Sequence, residues 1–209
     1  TIDNDAYDPP DPKPTLESKF VRGLFFAGQV NGTSGYEEAA AQGLVAGVNA
    51  GFYATESEKN LILERSDSYT GVMISDITAK GVDEPYRMFT SRAEFRLSVR
   101  DNNTAERLLE KSFAAGLIDE KIYEIENAKC ERVQHLISEI NAFPVYPTAE
   151  INKKLEEVGE APLSKAGNLA TLLRRPLVSR SSIEAVTGYV SRETSEIWNR
   201  AEVEIKYSS

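Results

Sequence analysis

Cysteine and histidine are almost missing from this chain: 209 residues contain one of each, Cys130 and His135. A lone cysteine excludes an internal disulfide, and the two together exclude a zinc site of the usual Cys/His kind, so no metal site is expected. Cys130 falls in a helical stretch and reads as a packed or partly exposed thiol, not a nucleophile. A reducing compartment is consistent with this usage. No apolar run reaches the roughly 18 residues that a membrane span needs, and the acidic start Thr1–Asp5 is no signal peptide. Neither GxGxxG nor GxxxxGK[ST] occurs, so no primary nucleotide site follows from spacing. Positive charge is short too. The net charge of −9 argues against a general nucleic-acid binder.

What is present is concentrated in Gly23–Gly51, GLFFAGQVNGTSGYEEAAAQGLVAGVNAG. Leu24–Ala27 is short and apolar and predicts a strand covered on both faces. Gly28, Gly32 and Gly35 then form a turn that lets backbone approach a ligand closely. Glu37–Asn49 predicts a small-residue helix whose Gly43 and Gly47 share one face, able to lie close to a sheet or a flat ligand. Strand, glycine turn and helix together can present a helix N-terminus to an anionic cofactor. A tight turn with close helix packing explains the same residues without a ligand. Glu37 and Glu38 suit the first turn of a helix by charge–dipole pairing alone, and Tyr36 reads as a packing residue.

The arginines are clustered. Pro85–Arg100 carries Arg87, Arg92, Arg96 and Arg100 against Glu94, and Arg174–Arg192 carries four arginines against Glu184. Each island is +3, and taking that +6 from the total leaves −15 for the remaining residues. Such islands bind phosphate locally while the acidic body repels it elsewhere. Arg92, Arg96 and Arg100 are spaced by four. They fall within about 80° on a helix and on one side of a strand. Guanidinium forks match phosphate oxygens; a solvated face paired to Glu94, Asp101 and Glu106 is the plainer alternative. Arg174 and Arg175 read either as a C-terminal helix cap or as a second RNA contact.

Around these motifs, residues 1–19 are Pro- and Asp-rich and predict an extended loop. Tyr69–Lys80 predicts a short helix ended by Gly81, and Phe89–Arg100 fits either strand or helix. Helices are expected at Asn103–Ala115, closed by Gly116, and at Asp119–Asn141 with Asp119 as N-cap. Further helices are expected at Ala149–Val158 capped by Thr148, at Leu169–Leu173, at Ser182–Val186 capped by Ser181, and in a last helix capped by Ser191 that includes Trp198.

GLFFAGQVNGTSGYEEAAAQG closely resembles the second FAD-contacting motif of the MnmG/GidA family, flavoproteins that modify the wobble uridine of certain tRNAs. EPYRMFTSRAEFRL (Glu84–Leu97) resembles that family's other signature, and the lead-in Lys13–Lys19 is similar as well. Family members are about three times longer, and their upstream GxGxxG and two reactive cysteines have no counterpart here. The chain therefore reads as an internal fragment. The fold this implies is α+β: the end of a Rossmann-type FAD-binding domain (residues 1–80), then a mainly α-helical tRNA- or partner-interaction domain (81–209).

The resemblance implies an FAD-binding subunit that installs a (carboxymethyl)aminomethyl group at carbon-5 of the wobble uridine. NADH and methylene-tetrahydrofolate would be co-substrates. The tRNA anticodon region and an MnmE-type GTPase would be partners, with a homodimer as the intact form, no membrane association, and a cytoplasmic or mitochondrial-matrix location. It implies flavin contacts at Gln29 and along the turn, Gly28, Asn31, Gly32, Thr33, Gly35, Tyr36 and Glu37. It implies tRNA contacts at Arg87 and Arg96, with Arg92 and Arg100 beside them. No residue here reads as a nucleophile or general base, so the fragment alone is expected to be inactive and to hold FAD weakly. Two other readings stand beside it. One is a non-catalytic tRNA- or protein-docking module. The other is a piece of a different flavin reductase, which Glu84–Leu97 disfavours.

Overall fold

The computed structural model describes residues 12–79 and 84–208. The chain divides into two compact units, Thr1–Tyr123 and Glu124–Ser209. The sequence placed its boundary near residue 80. The compact unit runs further because residues 84–100 pack back onto the helices before them.

In the first unit, α1 (Tyr36–Ala54) and α2 (Tyr69–Ala79) enclose a core of Leu16, Val45, Leu61, Met73, Ile77 and Tyr86. Asn49 staples this core from inside α1. Its amide donates to the Thr15 and Leu61 carbonyls at 3.2 and 2.9 Å, and its Oδ1 accepts from Leu61 N at 2.8 Å. These bonds satisfy backbone groups of two irregular segments that have no ladder partner. Gly71, in the first turn of α2, is required by packing. A Cβ there would lie 2.0 Å from the Glu64 carbonyl oxygen. The Gly81 stop expected for α2 lies outside the described residues, as does most of the expected loop at 1–19.

Leu24–Ala27 is extended but is not a strand of a ladder. Phe25 bridges Glu17, and Phe26 N donates to Leu16 O at 3.0 Å. Leu24 is 40% exposed, so the expected burial on both faces does not occur. The face of α1 bearing Gly43, Gly47 and Gly51 is likewise exposed, with nothing within 4 Å of a Cβ at any of the three. The close approach expected along it is not made by the described residues. α3 (Thr104–Ala114) closes the unit and ends at Gly116, in the left-handed region at φ 72°.

The second unit is helical around one small sheet. α4 (Glu120–Ala142) starts where expected, with Ile122 N donating to Asp119 Oδ1 at 2.8 Å. Val133, Leu136 and Ile140 line its buried stripe. β1 (Pro144–Val145) and β2 (Gly167–Asn168) pair antiparallel, a two-residue ladder that the sequence did not predict. Between them lies α5 (Ala149–Glu157), capped by Thr148. α6 (Leu169–Leu173), α7 (Arg180–Thr187) and α8 (Ser195–Tyr207) complete the unit. Ser179 and Thr194, not Ser181 and Ser191, cap α7 and α8. Trp198 is the largest core side chain. Its Nε1 donates to Glu202 at 3.0 Å and the Arg180 guanidinium lies 5.1 Å above its ring. Burying an indole of ~150–250 Å² makes it the centre of that core. Arg174 is the C-cap of α6, as one of its two readings had it, and both it and Arg175 bond within this unit. Arg174 Nε donates to Ile205 O at 3.2 Å, and Arg175 binds the Ala161 carbonyl.

Candidate functional site

The glycine turn is built inward on one side and outward on the other. Gly28 (φ 88°) and Gly32 (φ 80°) flank a single 3₁₀ turn, Gln29–Asn31. Both angles lie in the left-handed region that glycine occupies without strain. The inward side centres on Gln42 of α1, which is fully buried. Its Oε1 accepts from Gly28 N at 3.0 Å and from Asn31 Nδ2 at 2.9 Å, while its Nε2 donates to Thr33 Oγ1 at 2.9 Å. Thr33 Oγ1 in turn donates to Gly28 O at 3.0 Å. Asn31 and Thr33 thus hold the shape of the turn and do not offer their side chains outward. The Oδ1 atom of Asn31 is buried without a partner. Gln29, Ser34, Tyr36 and Glu37 form the outward side. Tyr36 is 93% exposed, which overturns its reading as a packing residue.

The N-terminus of α1 already holds an anion of its own. Gly35 is the N-cap and supplies no side chain. The carboxylate of Glu38, 94% buried, folds back over it: a Cβ on Gly35 would stand 1.7 Å from Glu38 Oε2. Glu38 Oε1 accepts from Met88 N at 3.0 Å and faces Arg87 Nε at 3.3 Å. The Met88 amide, assisted by Arg87, holds this carboxyl below the usual carboxylate range. A pyrophosphate at this helix end would meet a fixed negative charge. The turn therefore fits the uncharged ring of a flavin better than its phosphates.

Residues 84–100 form neither α-helix nor strand, so neither periodicity that placed the arginines on one face applies. The segment runs through a 3₁₀ turn at Thr90–Arg92 and then irregular turns to Val99. Its start is laced to the glycine turn: Tyr86 N donates to Gly32 O at 2.8 Å and Ser34 N to Tyr86 O at 3.2 Å. Its middle is held by Arg65, which the sequence did not single out. Arg65 binds Asp76 at 2.7 Å and Glu94 at 2.6 Å, and its Nη2 donates to Arg92 O at 3.3 Å. Asp76 also accepts from the Tyr86 hydroxyl at 2.9 Å. Burial, reinforced by Asp76, pushes the Tyr86 hydroxyl well above the ordinary tyrosine range.

The four candidate arginines separate in role. Arg92 stacks over the Tyr86 ring at 4.6 Å, worth about 0.5–2 kcal/mol and leaving the cation near the surface. Arg87 is half exposed beside Glu38, and Arg96 is exposed. Arg100 turns back on its own loop, donating to Asn102 Oδ1 at 3.1 Å and to the Leu97 carbonyl. Glu94, the partner expected for the arginine face, is taken by Arg65. Between the first turns of α1 and α2 and residues 87–88 lies a cleft of about 290 Å³, lined by Glu37, Glu38, Tyr69, Met73, Arg87 and Met88 among others. Glu37, expected at the flavin, and Arg87, expected at the RNA, both line it. Among the described residues no cluster of metal-ligating side chains occurs, and no helix is long and apolar enough to cross a membrane.

Comparison with known proteins agrees with this layout. Residues 1–58 match the family model for glucose inhibited division protein A, and residues 120–209 match that for the tRNA modifying enzyme MnmG/GidA C-terminal helical domain. The chain is 44% identical over 206 residues to the tRNA uridine 5-carboxymethylaminomethyl modification enzyme MnmG of Thermodesulfovibrio yellowstonii, covering 99% of this chain and 33% of that protein. Two crystal forms of Aquifex aeolicus GidA superpose with TM-scores of 0.84 and 0.82 at 34% identity. They cover 97% of this chain and 32% and 30% of theirs. The chain thus spans about a third of the length of the relatives it matches. With both ends matched by models of one family and nearly its whole length aligned to members of that family, the chain belongs to the MnmG/GidA family.

Proposed function

We propose that this chain is the part of a tRNA wobble-uridine modification enzyme where the flavin-side turn meets the RNA surface. In this reading the outward side of the turn, Gln29 with the backbone of Gly28–Gly35, receives the ring of FAD. Gln29 carries both a donor and an acceptor for the ring edge. The flavin, when bound, supplies electron transfer, while these residues bind and orient it. Asn31 and Thr33 keep the turn in shape through Gln42. Residues up to about 80 serve the cofactor, and those after it serve tRNA and a GTPase partner. The intact enzyme acts at carbon-5 of the uridine, with NADH and methylene-tetrahydrofolate as co-substrates, and works as a homodimer.

The observation that carries this reading is the lacing of Gly32 and Ser34 to Tyr86, which sets the turn and Arg87 side by side. Arg96 tests it. An anticodon stem–loop titrated at two salt concentrations should bind more weakly at the higher one. Arg96→Ala should flatten the dependence of log K on log salt by about 0.7–0.9, one phosphate contact. Absence of binding at low salt would refute the RNA surface and leave a protein-docking module.

A further inference from the structure

The cleft between the first turns of α1 and α2 is not explained by cofactor turn or arginine face alone. We propose that it is a pocket for one unstacked nucleobase of the bound RNA, the base adjoining the phosphate that Arg87 contacts. This rests on the reading of the arginine segment as an RNA surface and extends that surface to α1 and α2 beside it, with a base-recognition site. At about 290 Å³ the cleft lies at the small end of the ~300–1,000 Å³ that ligand pockets span. That is room for a nucleobase.

Its lining has the chemistry of a base site. Met73, Met88 and Ala41 supply an apolar floor, and Tyr69 contributes an aromatic wall. Thioether sulfur and aromatic rings both pack favourably on a flat heteroaromatic ring. Its polar lining is Glu37, exposed, Glu38, buried and ionised, and Thr70. Carboxylate oxygens accept from the ring N–H or exocyclic amine of a base edge. Arg87 closes the same cleft with its side chain 53% exposed, placed for the phosphate of a nucleotide whose base lies within. A phosphate alone would not use the apolar floor, and the two carboxylates repel an anion from the interior. A base must leave its stack to enter, which costs little in a loop.

The experiment titrates this chain with a fluorescein-labelled anticodon stem–loop and with a series of loops, each lacking one base at a different loop position. Removal of one particular base should weaken binding about tenfold, the scale of one stacked base. The other abasic loops should bind within twofold of the intact one. Ala41→Met and Thr70→Phe fill the cleft from two different helices. Either variant, with its circular dichroism unchanged, should bind intact and abasic loops equally while keeping the wild-type salt slope. The proposal is overturned if no base removal weakens binding to the wild-type chain, or if the discrimination survives in both filled variants. Absence of salt-sensitive binding to any loop would overturn it together with the RNA reading beneath it.

Discussion

Removing the Gln42 amide should loosen the glycine turn without disturbing the rest of the chain. Gln42 is fully buried and meets three groups: Gly28 N, the Asn31 amide and the Thr33 hydroxyl. Gln42→Met keeps the side-chain volume but leaves the Gly28 and Asn31 donors without an acceptor. Each orphaned buried donor costs about 1–3 kcal/mol, so Gln42→Met should cost about 3 kcal/mol. Gln42→Ala adds a small cavity and should cost about 4 kcal/mol. The assay is amide hydrogen exchange read by mass spectrometry on peptides spanning residues 28–46. Protection there should fall on the order of 100-fold in Gln42→Met. Trp198 is the chain's one tryptophan and lies in the core of the second unit, so its fluorescence in urea serves as an internal control and should keep its midpoint. If Gln42→Met leaves protection of residues 28–46 within about fivefold of wild type, the polar network does not hold the turn and this reasoning fails.

Two further outcomes follow from the same neighbourhood. Serine ordinarily outranks glycine at an N-cap by a few tenths of a kcal/mol, yet Gly35→Ser should destabilise by about 1–2 kcal/mol in urea melts. Its Cβ would displace the Glu38 carboxylate and break the bond from Met88 N. A stabilised variant would show that the carboxylate moves aside freely. For Tyr86, burial and Asp76 raise the hydroxyl pKa in the folded state, so folding favours the neutral phenol. Its contribution is complete below the unfolded value near 10 and is lost as pH climbs from there toward the raised folded value. Tyr86→Phe should cost about 1 kcal/mol at pH 8, and the gap to wild type should narrow above pH 10. A gap that is constant or widening would contradict the assigned shift.

Long periodic elements were legible from residues alone. Asp119 and Thr148 each cap the helix they precede, and Gly116, Gly159 and Gly188 sit at left-handed positions just after helices. These are short-range signals, carried by one side chain and the next turn of backbone. The caps of α7 and α8 were misplaced because Ser179, Ser181 and Ser182, or Ser191 and Thr194, offer rival hydroxyls within a few residues. The choice depends on which backbone is already extended. Alternating residues at 95–100 suggested a strand, but no ladder partner exists among the described residues. Its carbonyls are held by side chains instead, Ser98 O by Asn103 and Arg100 O by Arg107, while Arg65 anchors the approach at Glu94 from 29 residues away. The candidate site was legible as a motif and not as a mechanism. The resemblance put Gln29, Asn31, Thr33 and Glu37 alike on the flavin, but it could not reveal that Gln42 claims Asn31 and Thr33. Charge–dipole pairing in the first turn, the plain reading of Glu37 and Glu38, fits Glu38, whose carboxylate folds back over the helix end.

The paired main-chain hydrogen bonds between Tyr86 and the stretch Gly32–Ser34 have a mechanical consequence. Side chains can yield by rotating, whereas two main-chain bonds running in opposite senses between the same strips of polypeptide leave no slack. A shift of the glycine elbow by even an ångström must carry residue 86 along or rupture both bonds. Gln29 and Arg87, remote in the chain, thereby ride on a single rigid tile, and whatever seats itself against one resets the position of the other.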